Sequence, residues 1–322
     1  MKPARFYYQA GFFLKSAAKL LFILAPLKLN MNLFSISDLA RFSGIKAHTI
    51  RIWEQRYEAL QPERSEGNTR YYDGQQLRRL LNIVSLVNLG RKVAKVSQLS
   101  DRELSDLVNK LVPGNGTSGD TADYFISQLI LAGMSYDEHH FEKIFSAGIV
   151  RYGLKEMYSN IIYPMLHRVG MMWAGDQLAP PNEHFISNLV RQKMFAALDA
   201  LPPPVIDNEK WILFLPEGEY HEMGLLLSNY LIRKSGRHVI YLGADVPLTH
   251  LKNVLSVTSP THLLCFIVHR DFPEAIANFL KTLKATFKKG KIFLATEKEN
   301  IKEIKLPPGI VPLHNVEDLI IL

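Results

Sequence analysis

Apolar residues recur at two different spacings along the chain. From about residue 34 to residue 201 they fall mostly at the three- and four-residue spacing of amphipathic helices. From residue 209 onwards, short apolar runs alternate with helical segments. The pattern predicts more than one domain, and a length of 322 residues agrees with two or three domains of ordinary size.

The first helical stretch, SISDLARFSGIKAHTIRIWEQRYEAL, predicts two short helices joined by a tight turn. Ser37 is the expected cap of the first helix, which ends at Phe42. The second helix spans about Ala47–Arg56 and buries Ile50 and Trp53 at helical spacing. This arrangement is typical of a helix–turn–helix, whose second helix enters the major groove of DNA. The spacing alone equally fits a generic pair of packed helices.

The following stretch, LQPERSEGNTRYY, predicts a β-ribbon, or wing, beside the second helix because Pro62, Gly67 and Asn68 punctuate it. Cationic and polar side chains of the helix and the ribbon are suited to base edges and phosphates. The candidate DNA-binding residues are Lys46, His48, Thr49, Arg51, Arg56, Arg64, Arg70 and Tyr71.

Residues 122–201 predict four helices, over Ala122–Leu131, Tyr136–Tyr152, Leu154–Met172 and Glu183–Leu201. Ser135 and Glu138 form the expected capping box of the second helix. The stretch DEHHFE at 137–142 has the residue types of a metal cluster. Its acids equally suit a helix N-terminus and its histidines suit solvent, so this reading is favoured.

The stretch WAGDQLAPPNEH joins the third and fourth of these helices. Asn182 is the expected cap of the fourth helix. Trp173, Glu183 and His184 are expected to meet at one end of the bundle as an aromatic lid with two polar groups. A buried tryptophan beside a helix cap is the alternative.

Beyond residue 208, the expected strands are Trp211–Leu215, Val239–Leu242, Leu263–Val268, Ile292–Leu294 and a fifth at Ile310–Leu313. Intervening helices indicate a parallel, doubly wound sheet, which binds ligands at the carboxyl ends of its strands. His221 follows the first strand at this edge. Glu219 can orient its ring and raise its basicity, as in metal-binding histidines, and Gly224 lets a ligand or backbone approach closely.

Charge and cysteine content change this picture little. The net charge is +7, but residues 1–30 carry five basic residues and no acid, so the rest of the chain is only +2. DNA binding must therefore be argued from local residues. One cysteine, Cys265, excludes an intramolecular disulfide and fits a reducing cytoplasm.

Two segments match no packed element. Residues 1–30 have a short apolar run interrupted by Lys15 and Lys19, too short to span a membrane. We expect a leader outside the fold, with a membrane tether as the alternative, and no membrane partner. Residues 112–121, VPGNGTSGDT, predict a linker.

The motifs Thr49-Ile50-Arg51-x-Trp53, Leu60-x-Pro62-x-Arg64 and Asn68-x-Arg70-Tyr71-Tyr72 together resemble the winged-helix domain of MerR-family transcription regulators. The resemblance places this domain at residues 31–111. It implies binding to double-stranded promoter DNA as a homo-oligomer, either a dimer or a tetramer.

The turn Glu219-x-His221-x-x-Gly224 resembles the Asp-x-His-x-x-Gly motif of cobalamin-binding domains. That resemblance implies that His221 is the lower axial ligand of cobalt. The spacing from Trp173 to Glu183-His184 is similar to the W-x9-E-H motif of light-responsive, adenosylcobalamin-dependent MerR regulators of the CarH and LitR type. The implied architecture is a winged helix–turn–helix, a four-helix bundle at 122–201 and a Rossmann-like (flavodoxin-like) sheet at 209–322.

Three positions depart from those patterns. Cys265-Phe266-Ile267 stands where a Ser-x-Leu/Thr signature is expected, and Ala295-Thr296 stands where a Gly-Gly pair is expected. Phe266 and Thr296 could obstruct the nucleotide tail of the cofactor. Ala174 replaces a second histidine that some photosensing members carry.

The sequence therefore predicts a non-enzymatic transcription regulator whose oligomerisation and operator binding are controlled by cobalamin, with adenosylcobalamin and light as the implied form of control. The alternative is a MerR regulator whose cobalamin domain is degenerate and serves as a dimerisation or partner-sensing module. A cobalamin-dependent methyltransferase or mutase subunit is a third reading, but it has no use for a winged helix.

Overall fold

The computed structural model describes residues 33–65, 67–110, 121–175, 177–268, 273–315 and 318–319. The leader expected at 1–30 and nearly all of the linker expected at 112–121 lie outside these ranges. Thr121, the last residue of the expected linker, is already the first residue of a helix. No helix within the described ranges is long and apolar enough to cross a membrane.

The N-terminal part contains five helices and a two-stranded ribbon among the described residues. These are α1 (Ile36–Ser43), α2 (Ala47–Tyr57), β1 (Glu63–Arg64), β2 (Arg70–Tyr71), α3 (Gly74–Asn88), α4 (Val93–Val96) and α5 (Asp101–Lys110). Ile50 and Trp53 are buried as expected, and β1 pairs antiparallel with β2. Gly44 makes the turn between α1 and α2 in the left-handed conformation, with φ of 74°.

The predicted cap of α1 is wrong by two residues. Ser35, not Ser37, caps the helix, and Ser37 lies within it. The Ser35 backbone is extended, and its Oγ lies 3.2 Å from the Asp38 nitrogen while the Asp38 carboxylate accepts from the Ser35 nitrogen at 2.8 Å. Asp38 completes this reciprocal cap because it lies three residues after Ser35.

The middle part is helical. It consists of α6 (Thr121–Met134), α7 (Glu138–Met157), a π-helical segment (Tyr158–Ile162), α8 (Tyr163–Ala174) and α9 (Pro180–Asp199). Gly153, with φ of 72° and ψ of 164°, breaks α7 at the boundary that the sequence predicts between its second and third helices. The α6 helix contacts α7, α8 and α9.

Two predicted caps in this part are wrong. Tyr136 is left-handed, with φ of 55°, so α7 starts at Glu138, and Asp137 caps it instead of the Ser135–Glu138 pair. The α9 helix begins at Pro180, because proline suits a first turn whose N–H groups have no helical partner. Asn182 therefore lies inside that turn, and its side chain donates to the carbonyls of Gly133 and Met134.

The C-terminal part is a five-stranded parallel sheet in the order β4-β3-β5-β6-β7. Its elements are β3 (Ile206–Pro216), α10 (Met223–Lys234), β4 (Arg237–Val246), α11 (Leu248–Thr258), β5 (His262–Ile267), α12 (Pro273–Thr286), β6 (Lys291–Thr296), α13 (Lys298–Ile301) and β7 (Ile310–Leu313). All five expected strands are present, and β7 has the predicted bounds. The strand order reverses between β3 and β5, which defines the switch point of a doubly wound sheet.

Specific contacts join the three parts. The α3 helix packs on α6, where the Gln128 side chain donates to Ser85 Oγ at 2.8 Å. Arg168 of α8 pairs with Asp123 at 2.7 Å and also donates to the Phe42 carbonyl at the end of α1. The α9 helix packs on α10 of the C-terminal part. The helical part thus contacts both the N-terminal part, which carries the candidate DNA-binding residues, and the C-terminal part.

We expect Arg168→Met to lower the free energy of unfolding by about 1–3 kcal/mol, because the Asp123 carboxylate and the Phe42 carbonyl lose a shared charged donor. The urea midpoint of the full chain measures this change. Lys302→Met is the matched control, since the 4.0 Å pair of Lys302 with Glu299 is solvent-exposed and should cost less than about 0.5 kcal/mol. Equal shifts for both variants would contradict the expectation.

Candidate functional site

The outer face of α2 carries most of the predicted DNA-binding residues. Ile50 and Trp53 anchor the helix in the core, which turns the opposite face outward. Lys46, at the cap position, and His48, Arg51 and Arg56 are exposed, and Thr49 is partly exposed. The first turn of α2 therefore presents cationic and hydrogen-bonding groups together, as a helix that reads a major groove requires.

Glu54 ties the ribbon to α2, a role that the sequence analysis missed. One carboxylate oxygen accepts from Arg70 Nε at 2.8 Å, and the other accepts from the Tyr72 hydroxyl at 2.8 Å. Burial, followed by the bond to Glu54, raises the pKa of Tyr72. Arg70 thus positions the ribbon through Nε. Its other two guanidinium nitrogens are not part of this bond. An acid at position 54 within a basic helix is the signal that could have revealed it.

The other ribbon candidates lie at its tip and along its edge. Arg64 is exposed and donates to the side chain of Asn68, which forms the turn with φ of 60°. Tyr71 is partly buried, in the strand that pairs with β1. Glu54 holds the ribbon against α2, and Arg64 lies on that ribbon.

His221 lies at the carboxyl edge of the sheet, beside the switch point. The β3 strand ends at Pro216 and α10 begins at Met223, so His221 occupies the turn between them. Because β3 is hydrogen-bonded to β4 on one side and β5 on the other, this turn borders the crevice in which doubly wound sheets bind ligands. The side chain of His221 is about half exposed.

Glu219 is buried and fixes the ring of His221. Its Oε1 lies 2.7 Å from His221 Nδ1, and because a carboxylate only accepts, Nδ1 carries the hydrogen. The same carboxylate accepts from the backbone nitrogens of Tyr220, His221 and Val268 at 2.9–3.0 Å. The Nε2 atom is then the ring nitrogen turned away from Glu219, in the arrangement of a metal-binding histidine.

The hydrogen bond to Glu219 is the largest cause that raises the pKa of His221. Burial opposes it, and the charges of Glu219 and Glu183 add to it. A more basic imidazole is a stronger donor to a metal ion.

The three residues expected to form a lid lie at the two ends of one short connection. Trp173 is in the last turn of α8 and is 53% exposed, and Glu183 and His184 are in the first turn of α9. Glu183 pairs with His184 Nδ1 at 2.8 Å. Trp173 is not a buried core residue, which disfavours the alternative reading. Among the described residues, no hydrogen bond, ion pair or ring contact joins it to Glu183 or His184.

Arg191 and Tyr241 hold the residue next to His221 and were missed by the sequence analysis. Arg191 Nε of α9 lies 3.3 Å from Glu222 Oε2, and the Tyr241 hydroxyl donates to Glu222 Oε1 at 2.8 Å. Burial and the bond to Glu222 raise the pKa of Tyr241. The turn at the sheet edge is therefore linked to the helical part by charge as well as by packing.

The space beside Gly224 is filled by an aromatic ring. A Cβ atom on Gly224 would lie 2.5 Å from Cε1 of Phe266, which is 7% exposed. The expectation that Gly224 admits a ligand or backbone stays a prediction, and in this structure the Phe266 side chain takes that space.

Thr296, the other expected obstruction, belongs to the opposite face of the sheet. Phe266 pairs with Ala295, and Ile267 pairs with Thr296. Phe266 and Ala295 belong to the apolar cluster on the α10 side, whereas Ile267 belongs to the cluster on the other side. Since side chains alternate along a strand, Thr296 faces away from Gly224. Its hydroxyl accepts from the Asn300 side chain at 3.3 Å.

The histidines of the DEHHFE stretch differ in environment. His139 is exposed as expected, but His140 is partly buried and bonds Gln128 Oε1 at 3.0 Å, so the expectation of a solvated His140 is wrong. Burial is the main cause that lowers the pKa of His140. Within the described residues, no three His, Cys, Asp or Glu side chains are grouped so that they could hold a metal ion.

Two known families match separate parts of the chain. The family described as "MerR HTH family regulatory protein" matches residues 34–103, which contain α1 to α4 and the ribbon. The family described as "B12 binding domain" matches residues 125–197, which lie within the helical part and end before the first strand of the sheet.

Two curated relatives match most of the chain. The HTH-type transcriptional repressor CarH of Myxococcus xanthus is 25% identical over 260 residues, which cover 80% of this chain and 86% of the repressor. The HTH-type transcriptional repressor CarA of the same organism is 25% identical over 247 residues, which cover 76% of this chain and 80% of that protein. Among solved structures, the monomethylamine corrinoid protein of Methanosarcina barkeri matches 61% of this chain and 95% of its own, with 13% identity and a TM-score of 0.49.

We expect Gly224→Ala to lower the free energy of unfolding by about 1–3 kcal/mol, because the added methyl group would overlap the Phe266 ring. In a Phe266→Ala background the same change should cost less, since the ring is gone. Urea unfolding of the two single variants and the double variant measures the coupling. An additive result would contradict the contact.

Proposed function

Because the chain is a MerR-type transcription regulator that carries a B12-binding domain, we propose that it binds promoter DNA under the control of a corrinoid held at His221. The observation that carries the proposal is the His221–Glu219 pair at the switch point of the sheet, with α9 of the helical part packed on the adjacent α10. The relatives are transcriptional repressors, which favours a regulator without enzymatic activity.

On the DNA side, α2 is the reading helix and the ribbon is the wing. The exposed first turn of α2 carries His48 and Arg51, with Thr49 at its edge. Glu54 holds the ribbon at a fixed angle to α2 through Arg70 and Tyr72. Arg64 then contacts the phosphate backbone beside the groove. Two copies of the chain bind a two-fold operator, since a single short helix reads too few base pairs for specificity.

On the corrinoid side, the donor set at the turn fits an axial ligand of cobalt. His221 would hold the metal through Nε2, because the hydrogen bond to Glu219 places the hydrogen of the neutral ring on Nδ1 and leaves the lone pair on Nε2. Bound cobalamin would supply a cobalt ion that carries an exchangeable ligand. The half-exposed Trp173, with Glu183 and His184, would cover that ligand, for which an adenosyl group is the proposed choice.

Ala174 affects the form of the response. It follows Trp173 directly and offers no metal ligand. Water or His184 would be the group left to bind the metal if light removed an adenosyl group. Control by light is therefore not required for the proposal, and binding of the corrinoid itself is the primary signal.

The signal reaches the DNA-binding part through the helical part. Arg191 of α9 forms an ion pair with Glu222, the residue after His221. The α9 helix contacts α6, and α6 packs on α3. A ligand between His221 and the start of α9 would change how these helices sit and which surface they offer to a second copy. Oligomerisation in the cytoplasm, where promoter DNA lies, would then set operator affinity.

The alternative is a sheet that binds no corrinoid and serves as a dimerisation or partner-sensing module. One observation favours it, because Phe266 fills the space beside Gly224. The His221–Glu219 geometry favours ligand binding, since the turn that Glu219 closes does not itself require an imidazole that is about half exposed.

We expect Arg51→Ala to lose discrimination at one base pair, by about 1–3 kcal/mol if Arg51 reads a guanine. Arg70→Ala should weaken binding to all sequences and flatten the salt dependence, because it removes a cation and loosens the ribbon. Binding to a panel of duplexes derived from a selected operator measures both. Arg102→Ala on exposed α5 is the control. Equal loss across the panel for Arg51→Ala would contradict its assignment.

We expect the absorption spectrum of a corrinoid to show imidazole coordination when the purified chain is added. His221→Ala should abolish this shift, and Glu219→Gln should reduce affinity by about 10–100-fold, because it leaves the ring but removes its charged orienting partner. His139→Ala is the matched control, since that imidazole is exposed on α7 and has no part in the proposed site. An unchanged spectral shift in His221→Ala would refute the axial role.

A further inference from the structure

The crevice beside His221 is closed on its inner side. Phe266 at the end of β5 packs its ring against Gly224 in the first turn of α10, and both the ring and its strand partner Ala295 are buried. The ring joins the apolar cluster between the sheet and α10. A ligand at His221 can therefore rest on the edge of the sheet, but it cannot send a long group down between β5 and α10 while the ring stays in place.

This closure bears on the chemistry of the corrinoid. Cobalamin carries a tethered nucleotide whose base can itself bind the lower face of the cobalt. His221 can take that face only if the base leaves and finds another place. A tethered base competes at an effective concentration of millimolar or more, and a pocket that binds the displaced base would offset this competition. The Phe266 ring removes the nearest such place.

We propose, resting on the proposed function of His221, that this site prefers a corrinoid without the nucleotide tail, of the cobinamide class, and that Phe266 sets the preference. In a tail-less corrinoid the lower face carries only water. The His221 Nε2–cobalt bond forms as the water–cobalt bond breaks, and no electrons are transferred. No tethered base competes, and no tail has to be housed.

The faces of the sheet identify Phe266 and not its neighbours. Cys265 and Ile267 point into the opposite cluster. Thr296 lies on that opposite face as well, bonded to Asn300. Phe266, at the carboxyl end of β5, is the bulky side chain that contacts Gly224.

The test compares two probes, cobinamide and aquocobalamin, by absorption titration and equilibrium dialysis of the full chain. The wild type should bind cobinamide at least about tenfold more tightly than cobalamin. Phe266→Ala should narrow that ratio by raising the affinity for cobalamin, because the space beside Gly224 opens. Thr296→Ala is the matched control and should leave the ratio unchanged, since position 296 faces the other side.

Phe266→Ala removes a buried ring and can destabilise the sheet, so Phe266→Leu serves as a milder variant, and circular dichroism verifies folding of both. Equal affinity of the wild type for the two corrinoids overturns the preference and leaves the corrinoid function of His221 standing. A ratio that moves with Thr296→Ala but not with either Phe266 variant overturns the role of Phe266. Binding of neither probe, by the wild type or by any variant, overturns the proposed function and this preference together.

Discussion

A single buried carboxylate, that of Glu219, holds together the edge of the sheet on which the candidate site depends. A turn of six residues between β3 and α10 has several backbone N–H groups without a helical or strand partner, and buried N–H groups must be satisfied. Glu219 accepts from two nitrogens within the turn, from the nitrogen of Val268 after β5, and from the His221 ring. It therefore closes the turn, joins it to the neighbouring strand and orients the imidazole at once. Charge-assisted bonds of this kind are roughly twice as strong as neutral ones.

Two other acids likewise each interact with two partner side chains beside the candidate binding residues. Glu54 accepts from Arg70 and Tyr72 and so sets the ribbon against α2. Glu222 accepts from Tyr241 and pairs with Arg191, which links the sheet edge to α9. Each acid is mostly buried and lies beside the residues proposed to contact a ligand. Burial strengthens these bonds but also penalises their loss, so each of these candidate surfaces has a defined geometry.

The sequence predicted the elements of the fold better than their ends. Apolar runs and apolar spacing predicted all five parallel strands and the break at Gly153. Buried positions must be apolar, so buried strands and helix faces leave a regular pattern in the sequence. The caps of α1, α7 and α9 were predicted wrongly. Ser, Asp, Asn and Pro can each serve at several positions of a helix start, and the choice depends on backbone angles such as the left-handed φ of Tyr136.

The candidate site was predictable where its residues are neighbours in sequence and not where they meet through the fold. Glu219 and His221 are two residues apart, and their bond follows from the turn. The contact of Phe266 with Gly224 joins positions 42 residues apart, and its meaning depends on which face of β5 the ring occupies. In the sequence, Phe266 and Thr296 are equally good candidates for an obstruction, because each replaces an expected small residue. Only the strand register separates them, because adjacent paired positions point to opposite sides of a sheet. A glycine that a sequence motif interprets as space for a ligand can thus be space for a side chain. The two interpretations predict different ligands. A crevice filled by the Phe266 ring leaves room for a corrinoid ring at the edge of the sheet, but it excludes a tethered nucleotide between β5 and α10.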